Sequence, residues 1–200
     1  MNPGRIEYLE EVKAIRPARD GLYGTKGLMS EMYKLEYRSK LVLKYSFAIP
    51  DATALKIIAK YSPLVEIGAG GGYWARLLRE KGATIHAYDE APPGSDKKNH
   101  WNFAKHLDVQ HGLPSVLAEE PYNNGKWALF LCWPFMDAMA WQCLKSFAGD
   151  TVIYIGEGQG GCTANDEFFE VLTRDYEEIE SHGIPQWFGI HDYLEVYRKK

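Results

Sequence analysis

The segment Leu64-Val65-Glu66-Ile67-Gly68-Ala69-Gly70-Gly71-Gly72-Tyr73-Trp74-Ala75 constrains this chain more than any other. A short apolar run containing one acid gives way to four glycines in five positions, and residues 73–80 then take up helical spacing. Glycine loses more conformational freedom on folding than any other residue, so such a cluster marks a tight turn or a place where something approaches the backbone closely. Strand, glycine turn and helix in that order belong to a β/α fold.

The rest of the chain agrees. Strands are expected at 64–67, 84–88, 107–110, 127–132 and 151–155, with helices over 73–80, 136–147 and 165–175. Nearly continuous apolar strands alternating with helices predict a parallel sheet covered on both faces. Residues 177–182 and 193–199 alternate with a period of two and have no helix between them, so they predict an antiparallel hairpin at the sheet edge. Ahead of the sheet, helices are expected over 5–16 (stopped by Pro17), over 27–46, and from an Asp51 cap to about residue 62, with a loop over 17–25.

Composition sets outer limits. Hydrophobic residues make up 46% and charged residues 25% of the 200, which is globular. No apolar run is long enough to span a bilayer, and the N-terminus has no apolar signal segment. Three cysteines without CxxC spacing argue against a disulfide framework or a structural zinc site, and fit a reducing, cytoplasmic setting. Net charge runs from +4 over residues 1–60 to −7 over 150–200. A total of −4 argues against a dedicated nucleic-acid coater, although the basic first third suits the guidance of an anionic substrate.

Two ligands suit the glycine loop. Read from Gly70, the run Gly70-x-Gly72-x-x-Ala75 satisfies the dinucleotide fingerprint. Asp89, about 20 residues further on, can accept both hydroxyls of a ribose. Read from Glu66, the run Glu66-x-Gly68-x-Gly70-x-Gly72 resembles motif I of the class I S-adenosylmethionine-dependent methyltransferases. About 60 residues precede the loop, whereas a dinucleotide domain often begins near its first strand, and the terminal hairpin is also a feature of the methyltransferase sheet.

The resemblance covers roughly residues 45–200. It implies a seven-stranded Rossmann-like sheet with helices on both faces and a C-terminal antiparallel hairpin. Residues 1–50 would be a helical extension covering the substrate side, and 51–200 the cofactor domain. It implies S-adenosyl-L-methionine as cofactor and S-adenosyl-L-homocysteine as product. Glu66 would face the cationic amino-acid end of the cofactor, and Gly68, Ala69 and Gly70 would cradle its methionine and ribose parts. Asp89 would hold the ribose hydroxyls, with Glu90 as its substitute, and Gln110 and His111 would contact adenine.

The end of the fourth strand reads Leu131-Cys132-Trp133-Pro134-Phe135. It resembles the (D/N)PP(Y/F/W) motif of amino-methyltransferases, but Cys132 replaces the acid or amide, and a thiol is a poor acceptor. Trp133 and Phe135 remain as a stacking wall for a flat or cationic substrate. Cys132 is expected to be buried and inert as a nucleophile, because nothing in the sequence lowers its pKa, and its place at the strand end sets it among the cofactor-binding residues. Glu157, in the glycine-rich run 156–161, is a candidate base. His191 and Asp192 are adjacent and so point apart. Tyr45 and Phe47 are candidates to cover the ligand, as is the long polar loop after Asp89 that holds His100 and Trp101.

Three classes follow. The first is methyl transfer to a small or planar acceptor. The second is methylation of RNA or DNA, using the basic residues of 1–60. The third is a non-catalytic, partner-binding relative of the enzymes. A nicotinamide-dependent oxidoreductase is the remaining alternative.

Overall fold

A computed structural model describes residues 6–15, 27–95 and 101–200. The expected loop at 17–25, and His100 in the loop after Asp89, lie outside the described residues. Three helices come first, α1 (Glu7–Ile15), α2 (Gly27–Lys44) and α3 (Ala52–Ala59). Seven strands follow: β1 (Leu64–Ile67), β2 (Ile85–Asp89), β3 (Gln110–His111), β4 (Ala128–Cys132), β5 (Thr151–Gly156), β6 (Tyr176–Gly183) and β7 (Tyr193–Lys199). Among them stand α4 (Tyr73–Glu80), α5 (Met139–Ser146) and α6 (Asp166–Asp175).

The strands form one sheet in the order β3-β2-β1-β4-β5-β7-β6. The first five are parallel, and β7 runs antiparallel between β5 and β6. This is the seven-stranded sheet with a C-terminal antiparallel hairpin that the sequence predicts. The chain steps from β3 back across to β4, so the order reverses beside β1. In open α/β sheets, ligands bind beyond the strand ends at such a point.

β1, β4 and β5 are buried along nearly their whole length, as their apolar sequences require. Leu64, Phe130, Ile153 and Ile155 face one layer with α3 and α4. Val65, Leu129, Leu131 and Tyr154 face the other, with α5 and α6. The helices start where the side chains dictate. Asp51 accepts from the Ala54 amide at 2.7 Å to cap α3, and Asn165 accepts from Phe168 at 3.2 Å to cap α6.

The first helices are not a separate body. Ile6, Tyr8, Val12 and Leu41 belong to the same buried cluster as Tyr73, Leu78 and Phe130. Tyr8 stacks on Tyr45 at 4.9 Å, and its amide donates to the Tyr73 hydroxyl at 3.2 Å. Among the described residues, no helix is long and apolar enough to cross a membrane.

Two expectations shift. The third strand sits at 110–111 rather than 107–110, because residues 103–107 instead pack onto the glycine loop. The helix expected from residue 136 begins at Met139, after a bend in which Asp137 accepts from the Met139 amide at 2.9 Å.

Candidate functional site

A cleft of about 410 Å³ opens at the carboxyl ends of β1, β2 and β4. Its floor is the glycine loop. Gly68, Gly70 and Gly72 all have positive φ, which is the conformation that only glycine adopts without strain. Gly71 is required for a different reason. A Cβ there would fall on the carbonyl oxygen of Ala104. The segment around Ala104 is itself anchored on two sides, by Ala104 N–H to Leu43 O at 2.9 Å and by His106 N–H to Gly71 O at 2.8 Å.

The amides of Gly68, Ala69 and Gly70 are already engaged. Gly68 and Ala69 both donate to Tyr88 O, at 2.8 and 2.9 Å, and Gly70 donates to Asp89 Oδ2 at 2.8 Å. These residues therefore offer a ligand close approach to a bare backbone, not a set of free N–H donors. Asp89 also accepts from the Ala91 amide at 2.8 Å. A carboxylate has about four acceptor positions, so two remain for a ligand. Burial raises the Asp89 pKa, and the amides of Ala91 and Gly70 oppose that rise.

Glu66 lies at the inner end of the cleft, 2% exposed, with Oε2 bonded to nothing. Desolvation, and then the charge of Asp89, push its pKa up to about 8. A buried carboxyl with an unpartnered oxygen is costly unless a ligand completes it.

The opposite wall is aromatic. Trp133 stacks on Phe47 with ring centres 4.5 Å apart and planes 7° from parallel. Trp101, Phe103 and Phe135 present their edges to Phe47 at 5.1–5.8 Å. Sequence reading named Tyr45, Phe47, Trp133 and Phe135. It placed Trp101 only within a loop able to cover the cofactor, and it missed Phe103, because aromatic residues in an irregular loop carry no periodic signal.

Trp133 is held in place by three contacts besides the Phe47 stack. Its φ is +56°, an uncommon and costly state for a bulky residue. Its amide donates to Ile155 O at 2.7 Å, its indole N–H donates to Asp192 Oδ1 at 2.8 Å, and the guanidinium of Arg38 lies 5.9 Å from its ring centre. The neighbouring Pro134 O accepts from Ala164 N–H at 2.9 Å. Asp192 is 1% exposed, and burial lifts its pKa to about 6.

Asp192→Leu is therefore expected to leave a buried N–H unpaired, at about 1–3 kcal/mol. At roughly 2–4 °C per kcal/mol for a chain of this size, the melting temperature should fall by about 2–12 °C. Asp192→Asn keeps an acceptor oxygen and should melt within about 2 °C of the parent. Equal losses in both variants would count against this role.

Other sequence candidates are placed elsewhere. Gln110 and His111 are exposed on β3, and the cleft wall there is made by Gly112, Leu113 and Pro114 instead. Glu157 lies outside the cleft lining. Burial would raise its pKa, but hydrogen bonds from the Cys162 and His191 amides, at 2.9 and 2.8 Å, overrule that and hold it at about 2. It ties the loop after β5 to the β6–β7 connection and is a poor base. Cys132 lines the cleft, and burial pushes its thiol well above the usual range, as suits an inert residue.

The chain matches no protein-family model and no curated protein in sequence. Among solved structures it resembles Sp1610 of Streptococcus pneumoniae in complex with S-adenosyl-L-methionine, at 15% identity and TM-score 0.46, over 74% of this chain and 72% of that one. It also resembles the magnesium protoporphyrin IX methyltransferase ChlM of Synechocystis PCC 6803 with bound SAM, at 12% identity and TM-score 0.45, over 89% and 88%. A third is the CcbJ methyltransferase of Streptomyces caelestis, at 14% identity and TM-score 0.47, over 74% and 94%. At these identities and scores, the functional reading rests on this chain's own site.

Proposed function

We propose that this chain is an S-adenosylmethionine-dependent methyltransferase acting on a small, planar acceptor. The observation that carries the proposal is Glu66, a buried carboxyl with an unpartnered oxygen at the inner end of the cleft. An ammonium group is the complement such a carboxyl needs, and the cofactor carries one at its amino-acid end. The rest of the floor fits as well: the glycine loop admits close approach, and Asp89 keeps acceptor capacity suited to a ribose.

S-adenosylmethionine supplies, when bound, a methyl group already activated on a sulfonium. The protein's part is to align the acceptor and exclude water. Phe47 and Trp133 form a rigid stacked wall, and Trp101 and Phe135 extend it to the mouth. Such a surface suits a flat ring. Among the described residues of the basic first third, Lys13, Lys40, Lys44 and Lys60 pair with Glu10, Glu36, Glu11 and Glu180. Those partners reduce their value as phosphate contacts, which favours a small acceptor over nucleic acid.

The decisive assay is transfer of labelled methyl from S-adenosylmethionine to planar amines and phenols, run beside tRNA and duplex DNA. Labelling of a small ring compound supports this reading. Salt-sensitive labelling of nucleic acid alone overturns the acceptor class.

Glu66 also gives a pH prediction. An ammonium beside it favours its charged form, so binding releases the proton that Glu66 holds below about pH 8. Affinity for S-adenosylhomocysteine should therefore rise as pH goes from 6 towards 8. Calorimetry in buffers of different ionisation enthalpy should show a proton leaving the protein.

A further inference from the structure

Glu66 is not alone in lacking a partner. Trp74, the second residue of α4, is 2% exposed, lines the same cleft, and has a buried indole N–H with no acceptor. The two residues share a neighbour. Glu66 and Phe130 are paired across the β1–β4 ladder, and Trp74 packs edge-on against Phe130 at 6.0 Å. The lining of one cleft thus includes both an unpaired carboxyl oxygen and an unpaired N–H donor. Buried indole N–H groups usually find a partner. Hydrocarbon at position 74 would fill the same space without that cost, so the nitrogen calls for an explanation.

A ligand that satisfies both groups must bring a cation and an acceptor, and an α-amino acid carries both on one carbon. Building on the cofactor assignment above, we infer that Trp74 is a cofactor-binding residue whose indole N–H donates to the carboxylate of the cofactor's amino-acid end. Glu66 takes the ammonium, and Trp74 takes the carboxylate. The pair then selects for the intact zwitterion. The engaged amides of Gly68, Ala69 and Gly70 add weight, because the loop itself has few donors left for a carboxylate.

The test compares S-adenosylmethionine with its decarboxylated analogue, which keeps the sulfonium, adenosine and amine. Binding is measured by calorimetry for the wild type and for Trp74→Phe, which keeps a ring and loses the N–H. The expected result is a loss of roughly tenfold or more for S-adenosylmethionine in the variant, and less than about twofold for the analogue. Equal weakening of both ligands would assign Trp74 to packing and overturn the proposal, as would no weakening of either. Wild-type protein that binds neither ligand would overturn the cofactor assignment itself.

A second readout needs no variant. The chain has six tryptophans. In wild-type protein, one indole N–H resonance should move downfield with S-adenosylmethionine and stay in place with the decarboxylated analogue. Identical indole spectra with the two ligands would overturn the proposal.

Discussion

Gly71→Ala is expected to lower the melting temperature by about 6–12 °C and to abolish detectable binding of S-adenosylhomocysteine. The added methyl would overlap the Ala104 carbonyl, a backbone atom fixed on either side by hydrogen bonds to Leu43 and Gly71. Overpacking a filled site costs about 1–3 kcal/mol and occasionally more, and a backbone obstacle puts this case at the upper end. At about 2–4 °C per kcal/mol, the stated shift follows. Relief would come only by lifting residues 103–107 off the loop, which would take Phe103 away from Gly70 and from the aromatic wall. Gly158→Ala is the control. A Cβ there meets nothing within 4 Å, and the melting temperature should stay within about 2 °C. Matching losses in the two variants would show that the close approach at Gly71 does not matter.

Glu66→Gln should separate stability from function. The folded-state pKa of Glu66, about 8, lies above the ordinary value of 4.5. Between those values the folded chain holds a proton that the unfolded chain has released. Wild-type stability should therefore decline as pH rises through that window and level off above it. Glutamine removes the charge and flattens that decline, so above pH 8 the variant should be more stable than the parent by a few kcal/mol. Its affinity for S-adenosylhomocysteine should fall by about tenfold or more, because the ammonium loses its counter-charge. Thermal melts from pH 5 to 9 and calorimetry at pH 8 measure both effects. A variant that binds as well as the parent would remove Glu66 from the site.

The parts of this account legible in sequence are those set by local pattern. Continuous apolar runs fixed β1, β4 and β5, and helical spacing fixed α4 and α6. The glycine run drew attention to the cleft, because its composition is costly without a purpose. The residues that escaped are set by contacts distant in sequence. Phe103 sits in an irregular segment and is recruited by Phe47, more than 50 positions earlier, and Trp101, legible only as part of a covering loop, meets the same ring. Asp192 gains its place from the indole of Trp133, 59 positions away. Glu157 looked like a base because it follows a strand in a glycine-rich loop. Its neutralising contacts come from the amides of Cys162 and His191, which its local sequence does not reveal. Gln110 and His111 stand outside the cleft lining for a smaller reason. A two-residue strand has almost no periodicity, so the cleft wall falls one to three positions further on.

The central claim is that the cleft takes an adenosyl amino acid. Parallel calorimetric titrations of the full chain with S-adenosylhomocysteine and with NAD test it most directly. Saturable binding of S-adenosylhomocysteine at one site per chain, lost in Asp89→Ala, is expected, with no binding of NAD. Saturable binding of NAD, with none of S-adenosylhomocysteine, would contradict it.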